Sequence, residues 1–359
     1  MAESLMNHYV VKSPHGRFEA HGDAMLRRLR AELRAIDSLR QTSRSEAFGG
    51  SLKNAVTGPF EGARDLVTQP RETFRAAARG LAAVPARAKE SITGKRSIYE
   101  DNLAEAMLSI SKSKREFASA VGVDVYSRNR VLQKELEGVA WAEAAGGLGA
   151  SAAVTVATFS GSLATSNLRR ADKLMDILHT RSASELRVAS RDALDQSGVA
   201  GDLIERFLDH RWYSPRHEIV IAANLLATEG AAGRGQFIEH ALAANSEEQA
   251  LFFQQTAEML RGHHQSIAPI ERVEIFFGIP LAHARNGEVA VFLPIDHLQW
   301  TGRVAEIAAH VASRRPRTRP GEKLVLWMPG TLTARARTGL KALGIEARER
   351  TDAALPLLD

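Results

Sequence analysis

Four groups of residues have side chains of the kinds that chemistry needs. Pro329-Gly330-Thr331 follows an apolar run and precedes a helical pattern. Backbone amides at such a helix start suit an anion, and Gly330, Thr331 and Arg335 form the candidate anion site, with Arg337 nearby. One glycine makes no cradle of backbone donors, however, and an ordinary strand-to-helix turn has the same signature. Asp296-His297, followed by Trp300, offers an acid and a base. Sequence neighbours usually point apart, and proton transfer requires hydrogen-bond reach. His263-His264 closes a helical pattern; adjacent imidazoles diverge on a helix, so a favourable contact with the C-terminal dipole explains them better than a metal does. Asp209-His210-Arg211-Trp212-Tyr213 with Arg216-His217 is a polar aromatic loop, expected to be a helix connection packed by Trp212. Phosphate loops, nucleophile elbows and zinc helices are missing from the sequence. The expectation is a non-enzymatic protein with no catalytic residue, resident metal or cofactor.

A second kind of chemistry, contact with an anionic surface, is written into residues 49–98. Thr57-Gly58-Pro59-Phe60 and Thr68-Gln69-Pro70-Arg71 stand eleven residues apart, each with proline placed to start a helix. At about 100° per residue, Phe60, Val67, Phe74 and Leu81 share one face, flanked by Arg64, Arg71, Arg75 and Arg79. An apolar stripe bordered by guanidinium groups is what an interfacial helix needs. The same amphipathicity also describes short helices strapped onto the protein's own surface. The expected partner is an anionic membrane surface or an acidic protein.

Charge agrees with that partner. Residues 1–99 hold 17 Lys and Arg against 10 Asp and Glu, so the whole basic excess of the chain, +5 overall, lies in its first quarter. Aromatics are too scattered there to form stacking platforms, which argues against nucleic acid. The chain has no cysteine, which excludes disulfides and thiolate metal sites. Met1-Ala2-Glu3-Ser4 lacks the pattern of a secretory leader, although a start placed after a removed leader would look the same.

The elements that must position these residues follow from periodicity. His8–Gly22 is expected to be a hairpin turning at Ser13-Pro14-His15-Gly16, followed by an Arg-rich amphipathic helix through Met25, Leu29, Leu33, Ile36 and Leu39. From Leu103 to His264 the pattern is helical, with capping boxes at Ser182-x-x-Glu185 and Ser246-x-x-Gln249 and a proline-started helix at Ser214-Pro215. Its uncharged centre, Ala144–Leu168, has the length of a membrane span, but its Gly, Ser and Thr content favours a buried helix of a soluble core. After Gln265 the order strand, strand, helix, strand, helix, strand is expected, with Asn286-Gly287 turning between strands 273–277 and 289–293. The fold class is α+β, predominantly α, in four parts: a hairpin and basic helix (1–48), the Pro-punctuated segment (49–98), an all-helical domain (99–265) and a small α/β module (266–359).

One resemblance covers most of the chain. The hairpin, the Arg-rich helix, Leu66-Val67-Thr68-Gln69-Pro70, Tyr99-Glu100-Asp101, Lys114-Arg115-Glu116, Gly122-Val123-Asp124-Val125-Tyr126-Ser127, Val131-Leu132-Gln133-Lys134-Glu135-Leu136 and Val139-Ala140-Trp141 resemble, in order and pattern, an uncharacterised family of proteobacterial proteins that commonly carry export leaders. The resemblance implies a bacterial cell-envelope location, periplasmic or peripheral to the membrane, and supplies no catalytic residue. The Thr-x-Pro segment also loosely resembles amphipathic C-terminal segments of eukaryotic bridge-like lipid-transfer proteins. The favoured function is a peripheral envelope protein that binds anionic lipid through 56–96. Its rivals are small-molecule or anion binding, or an enzyme, in the α/β module, and an interaction scaffold.

Overall fold

A computed structural model of the chain describes residues 5–43, 110–144, 168, 171–313 and 323–358. The protein is α+β and predominantly helical. Its elements run β1 (His8–Ser13), β2 (Gly16–His21), α1 (Asp23–Ser43), α2 (Ile110–Ala120), α3 (Arg130–Ala144), α4 (Ala171–Thr180), α5 (Ala183–Gln196), α6 (Gly201–Leu208), α7 (Pro215–Leu226), α8 (Arg234–Ala241), α9 (Glu247–Ser266), β3 (Ile270–Phe276), β4 (Ile279–Ala284), β5 (Glu288–Phe292), β6 (His297–Leu298), α10 (Gly302–Ser313), β7 (Lys323–Trp327), β8 (Thr331–Leu332), α11 (Ala334–Ala342) and β9 (Ile345–Arg348). They fall into two compact units that ignore linear order: 5–29, 168, 171–174, 189–313 and 323–358 in one, and 30–43, 110–144 and 175–188 in the other. Among the described residues no helix is long and apolar enough to cross a membrane. Segment 145–167, at the heart of that question, lies outside them.

The smaller unit is helical. α2 packs along α3, which buries Leu132, Leu136, Val139 and Ala140 at helical spacing. Glu32 on α1 holds the α2–α3 connection by accepting from Ser127 Oγ at 2.5 Å and Asn129 Nδ2 at 3.0 Å. The expected cap at Ser182 forms: Glu185 accepts the Ser182 N–H at 3.0 Å and donates its own N–H to Ser182 Oγ.

In the larger unit α7 is buried along its whole length, because Ile219, Val220, Ile221, Ala222 and Ala223 leave it apolar all round. Ser214 caps it as expected, with His217 as the reciprocal partner. α9 packs on α7 and carries the helical layer onto the sheet. That sheet has the order β3-β4-β5-β7-β9. β3, β4 and β5 form an antiparallel meander, and β7 and β9 join in parallel through α10 and α11. β4 is the strand that the sequence pattern misses. Its turn is Phe277-Gly278, with φ of +49° and +72°. Two such residues suit a tight hairpin, but phenylalanine is a costly occupant of the first, so the turn carries no sequence signal. Pro280 and two alanines further disguise the strand.

The helical layer meets the sheet edge where Ala232 bridges to β3: Ala232 N–H donates to Glu271 O at 2.9 Å, and Val273 N–H to Ala232 O at 2.8 Å. Gly233 follows with φ +81°, and a Cβ there would stand 2.0 Å from the Val273 carbonyl oxygen. Both the dihedral and the space demand glycine. Gly233→Ala is therefore expected to destabilise the protein by at least about 2 kcal/mol, measured by urea unfolding.

Candidate functional site

The two faces of the sheet do different work. Register places Glu288, Ala290 and Phe292 of β5 beside Lys323, Val325 and Trp327 of β7 on one face. Here Glu288, 1% exposed, accepts from Trp327 Nε1 at 2.7 Å, and its Oε1 lies 3.2 Å from His263 Nε2. His263, fully buried on α9, points its Nδ1 at the Ala268 carbonyl at 3.2 Å. Both ring nitrogens of His263 thus stand within hydrogen-bond reach of an oxygen. Burial pushes the Glu288 carboxyl up, but hydrogen bonds from His263 and Trp327 and the charges of His263 and Arg348 hold it below its ordinary value. Arg348 lies over the Trp327 ring at 4.3 Å. The cluster has the residue types of an acid–base site, yet neither His263 nor Glu288 can meet a substrate; it welds α9 to the sheet.

The opposite face carries Val289 and Val291, Leu324 and Leu326, and Ile345. α10 covers it with Val304, Ile307, Ala308 and Val311 and leaves a pocket of about 500 Å³ between helix and strands. The lining is aliphatic: Ile279, Val291, Leu293, Leu298, Leu326 and Ile345 form the floor, and Leu5 and Leu340 close the sides. Thr301 and Arg303, both exposed, supply the polar lining and mark the mouth. Thr301 caps α10 by accepting the Val304 N–H at 3.2 Å, so the first amides of that helix, and its positive dipole end, lie at the same rim. A space of this size, apolar with few polar groups at one end, has the character of a small-molecule site.

The residues singled out in the sequence have other tasks. Gly330 is glycine because a Cβ would stand 2.0 Å from the Asp296 carbonyl oxygen. The Thr331 N–H donates to that same oxygen at 2.9 Å, and the Leu332 N–H donates to Glu349 Oε2 at 2.7 Å. Arg337 also pairs with Glu349, at 2.6 Å. Burial raises the Glu349 carboxyl, but the Leu332 amide and Arg337 hold it below its usual range. A backbone carbonyl thus takes the Thr331 amide, a carboxylate of the chain itself takes the next amide and Arg337, and Arg335 stands exposed on α11. Asp296 accepts the Asn7 N–H at 2.8 Å and the Asp23 N–H at 3.1 Å, while Trp300 packs against Gly339. His264 Nδ1 accepts the Ile270 N–H at 3.0 Å. In the 209–217 loop Tyr213 is the packed ring, its hydroxyl donating to Ala241 O at 2.7 Å, and burial pushes its pKa far up; Trp212 is only half-buried. Phe60, Arg64, Val67, Arg71, Phe74, Arg75, Arg79 and Leu81 lie outside the described residues. The pocket itself gave no sequence signal, since an apolar stripe on α10 is what any packed helix shows.

Comparison with protein-family models, curated proteins and solved structures finds no match. The pocket must therefore be interpreted on its own geometry.

One buried acid gives this unit a pH signature. Burial pushes Glu258 up to about 7, against hydrogen bonds from the Leu358 amide and Gln254 and the charges of Arg216 and Arg28. The folded state keeps this proton where the unfolded chain, near its ordinary 4.5, has lost it. Stability therefore falls as pH rises from about 4.5 to 7. Glu258→Gln removes the effect. Between pH 4.5 and about 8 the variant is expected to gain about 3 kcal/mol relative to the parent, read from urea unfolding at each pH; parallel stability curves would contradict it.

Proposed function

We propose that the C-terminal α/β module binds an elongated apolar small molecule with an anionic head, of the fatty-acid kind, between α10 and the sheet. The observation that carries this is the aliphatic pocket of about 500 Å³ with Arg303 at its rim. Each methylene taken from water into such a lining contributes about 0.8 kcal/mol. A carboxylate head left at the mouth gains from the guanidinium and the α10 N-terminus while staying partly hydrated. The chain of the ligand supplies affinity and the rim supplies orientation. Binding and release, with no bond made or broken, is the activity this arrangement supports.

Val304 and Ile307 are half-buried on the inner side of α10, so a larger ring at either position fills the pocket. Titration with dansyl-labelled undecanoic acid is expected to show saturable fluorescence enhancement in the parent. Ile307→Trp and Val304→Trp should each weaken it more than tenfold with circular dichroism unchanged. Arg303→Glu should weaken the acid but leave the matching neutral alcohol little affected. A parent that takes up no probe, or Trp variants that bind as well as the parent, would contradict the reading.

A second reading rests on sequence pattern alone: contact of 56–96 with an anionic membrane, Phe60, Val67, Phe74 and Leu81 inserting while Arg64, Arg71, Arg75 and Arg79 meet phosphates. An envelope location belongs with this reading. Liposome flotation tests it: co-flotation should need anionic lipid and be lost when Arg71, Arg75 and Arg79 are changed to Glu. Equal flotation after that change would remove the electrostatic half of the idea.

A further inference from the structure

The N-terminal hairpin carries a set of side chains that neither reading uses. Its register sets His8 opposite His21 and Val10 opposite Glu19. Side chains alternate across a strand, so His8, Glu19 and His21 all leave the same face. That face is the outer one: His8 and Glu19 are exposed and His21 is half-buried, whereas Ala20 on the other face is buried. The two imidazole rings stack with centroids 4.5 Å apart and planes 7° from parallel. Glu19 Oε2 lies 3.7 Å from His8 Nε2. One ligand atom from each of the three residues lies within 4.8 Å of the other two.

We infer that His8, Glu19 and His21 bind a divalent transition cation, with Zn²⁺ the ion that suits them. Two imidazole nitrogens are borderline donors and outnumber the one hard carboxylate oxygen, so the set selects zinc-like ions over Mg²⁺ or Ca²⁺, which take oxygen ligands. Zinc holds such atoms at about 2.0–2.2 Å, so around one ion they stand about 3.3 Å from each other. Closing from the present spacing takes side-chain rotation alone, because the backbone register already holds the ligands together. Three protein ligands leave a fourth position to water, an open site instead of a closed structural one.

Arg17 also faces Glu19, with Nη2 3.5 Å from Oε1, and Lys12 stands opposite Arg17 further along the same face. The ion competes with Arg17 for Glu19 and meets these positive charges, which weakens its binding relative to a site without them. Binding bridges the strands of a hairpin, and a two-stranded hairpin is marginal by itself. The cation therefore staples β1 to β2, and the folded state gains stability in proportion to the logarithm of free zinc. Among the described residues no second group of three histidines or carboxylates gathers as closely.

The test titrates ZnCl₂ into the full chain after treatment with a chelator, by calorimetry. One saturable site is expected. His8→Ala and His21→Ala should each weaken it more than tenfold, and Glu19→Gln should weaken it less. His15→Ala, in the turn, should leave it intact. In the unaltered chain, zinc should shift the ring ¹H–¹⁵N signals of His8 and His21 ahead of the other histidines, which needs no variant to fold. Failure to bind zinc saturably, binding that survives both histidine substitutions, or ring shifts located elsewhere would overturn the inference.

Discussion

A carboxylate sealed between a helix and a sheet constrains everything around it. Glu288 is 1% exposed on a central strand, and a buried charge left without partners costs several kcal/mol. Its partners come from two directions: Trp327 from the neighbouring strand and His263 from α9. That fixes the helix against the sheet in one place and one rotation. It also commits the Glu288 face of the sheet to the helical layer. The face that is left, with Val291, Leu326 and Ile345, is covered by α10 and α11, and it is there that space for a ligand remains.

One side of that space comes from far along the chain. Asp296 gathers the amides of Asn7 and Asp23, and the His297 N–H donates to the Leu5 carbonyl at 3.2 Å. These bonds draw the segment before the hairpin across the module and set Leu5 into the pocket wall. Burial pushes the Asp296 carboxyl above its ordinary value, while the two amides it accepts pull the other way. An aspartate–histidine pair that looks like chemistry in the sequence is thus a clasp that holds the N-terminal segment on the module.

Much of the fold was legible because local signals and tertiary structure agree. The hairpin at Pro14–Gly16, the caps at Ser182 and Ser214 and the succession α10, β7, α11, β9 follow from turn chemistry and periodicity, whereas the two-residue strands β6 and β8 are too short to show a pattern. β4 was not legible, because its entry turn uses phenylalanine at a left-handed position. The candidate site was least legible of all. Val304, Ile307 and Val311 announce an apolar helix face, and nothing in their spacing distinguishes a face that touches its sheet from one that stands off it. His263 does stand in the last turn of α9, but the carboxylate it meets lies 25 residues on, beyond the reach of helical periodicity. The His8–His21 pair becomes visible only once the turn fixes the register.

The claim that the sheet has one welded face and one receptive face is open to a single measurement. Methyl spectra of the full chain, recorded with and without decanoic acid, report each face separately. Val291, Leu293, Ile307 and Leu326 should shift as the ligand saturates, while Ala290 and Val325, on the Glu288 face, should stay in place. Shifts of equal size at Ala290 and Val325, or silence at the α10 methyls, would contradict the account.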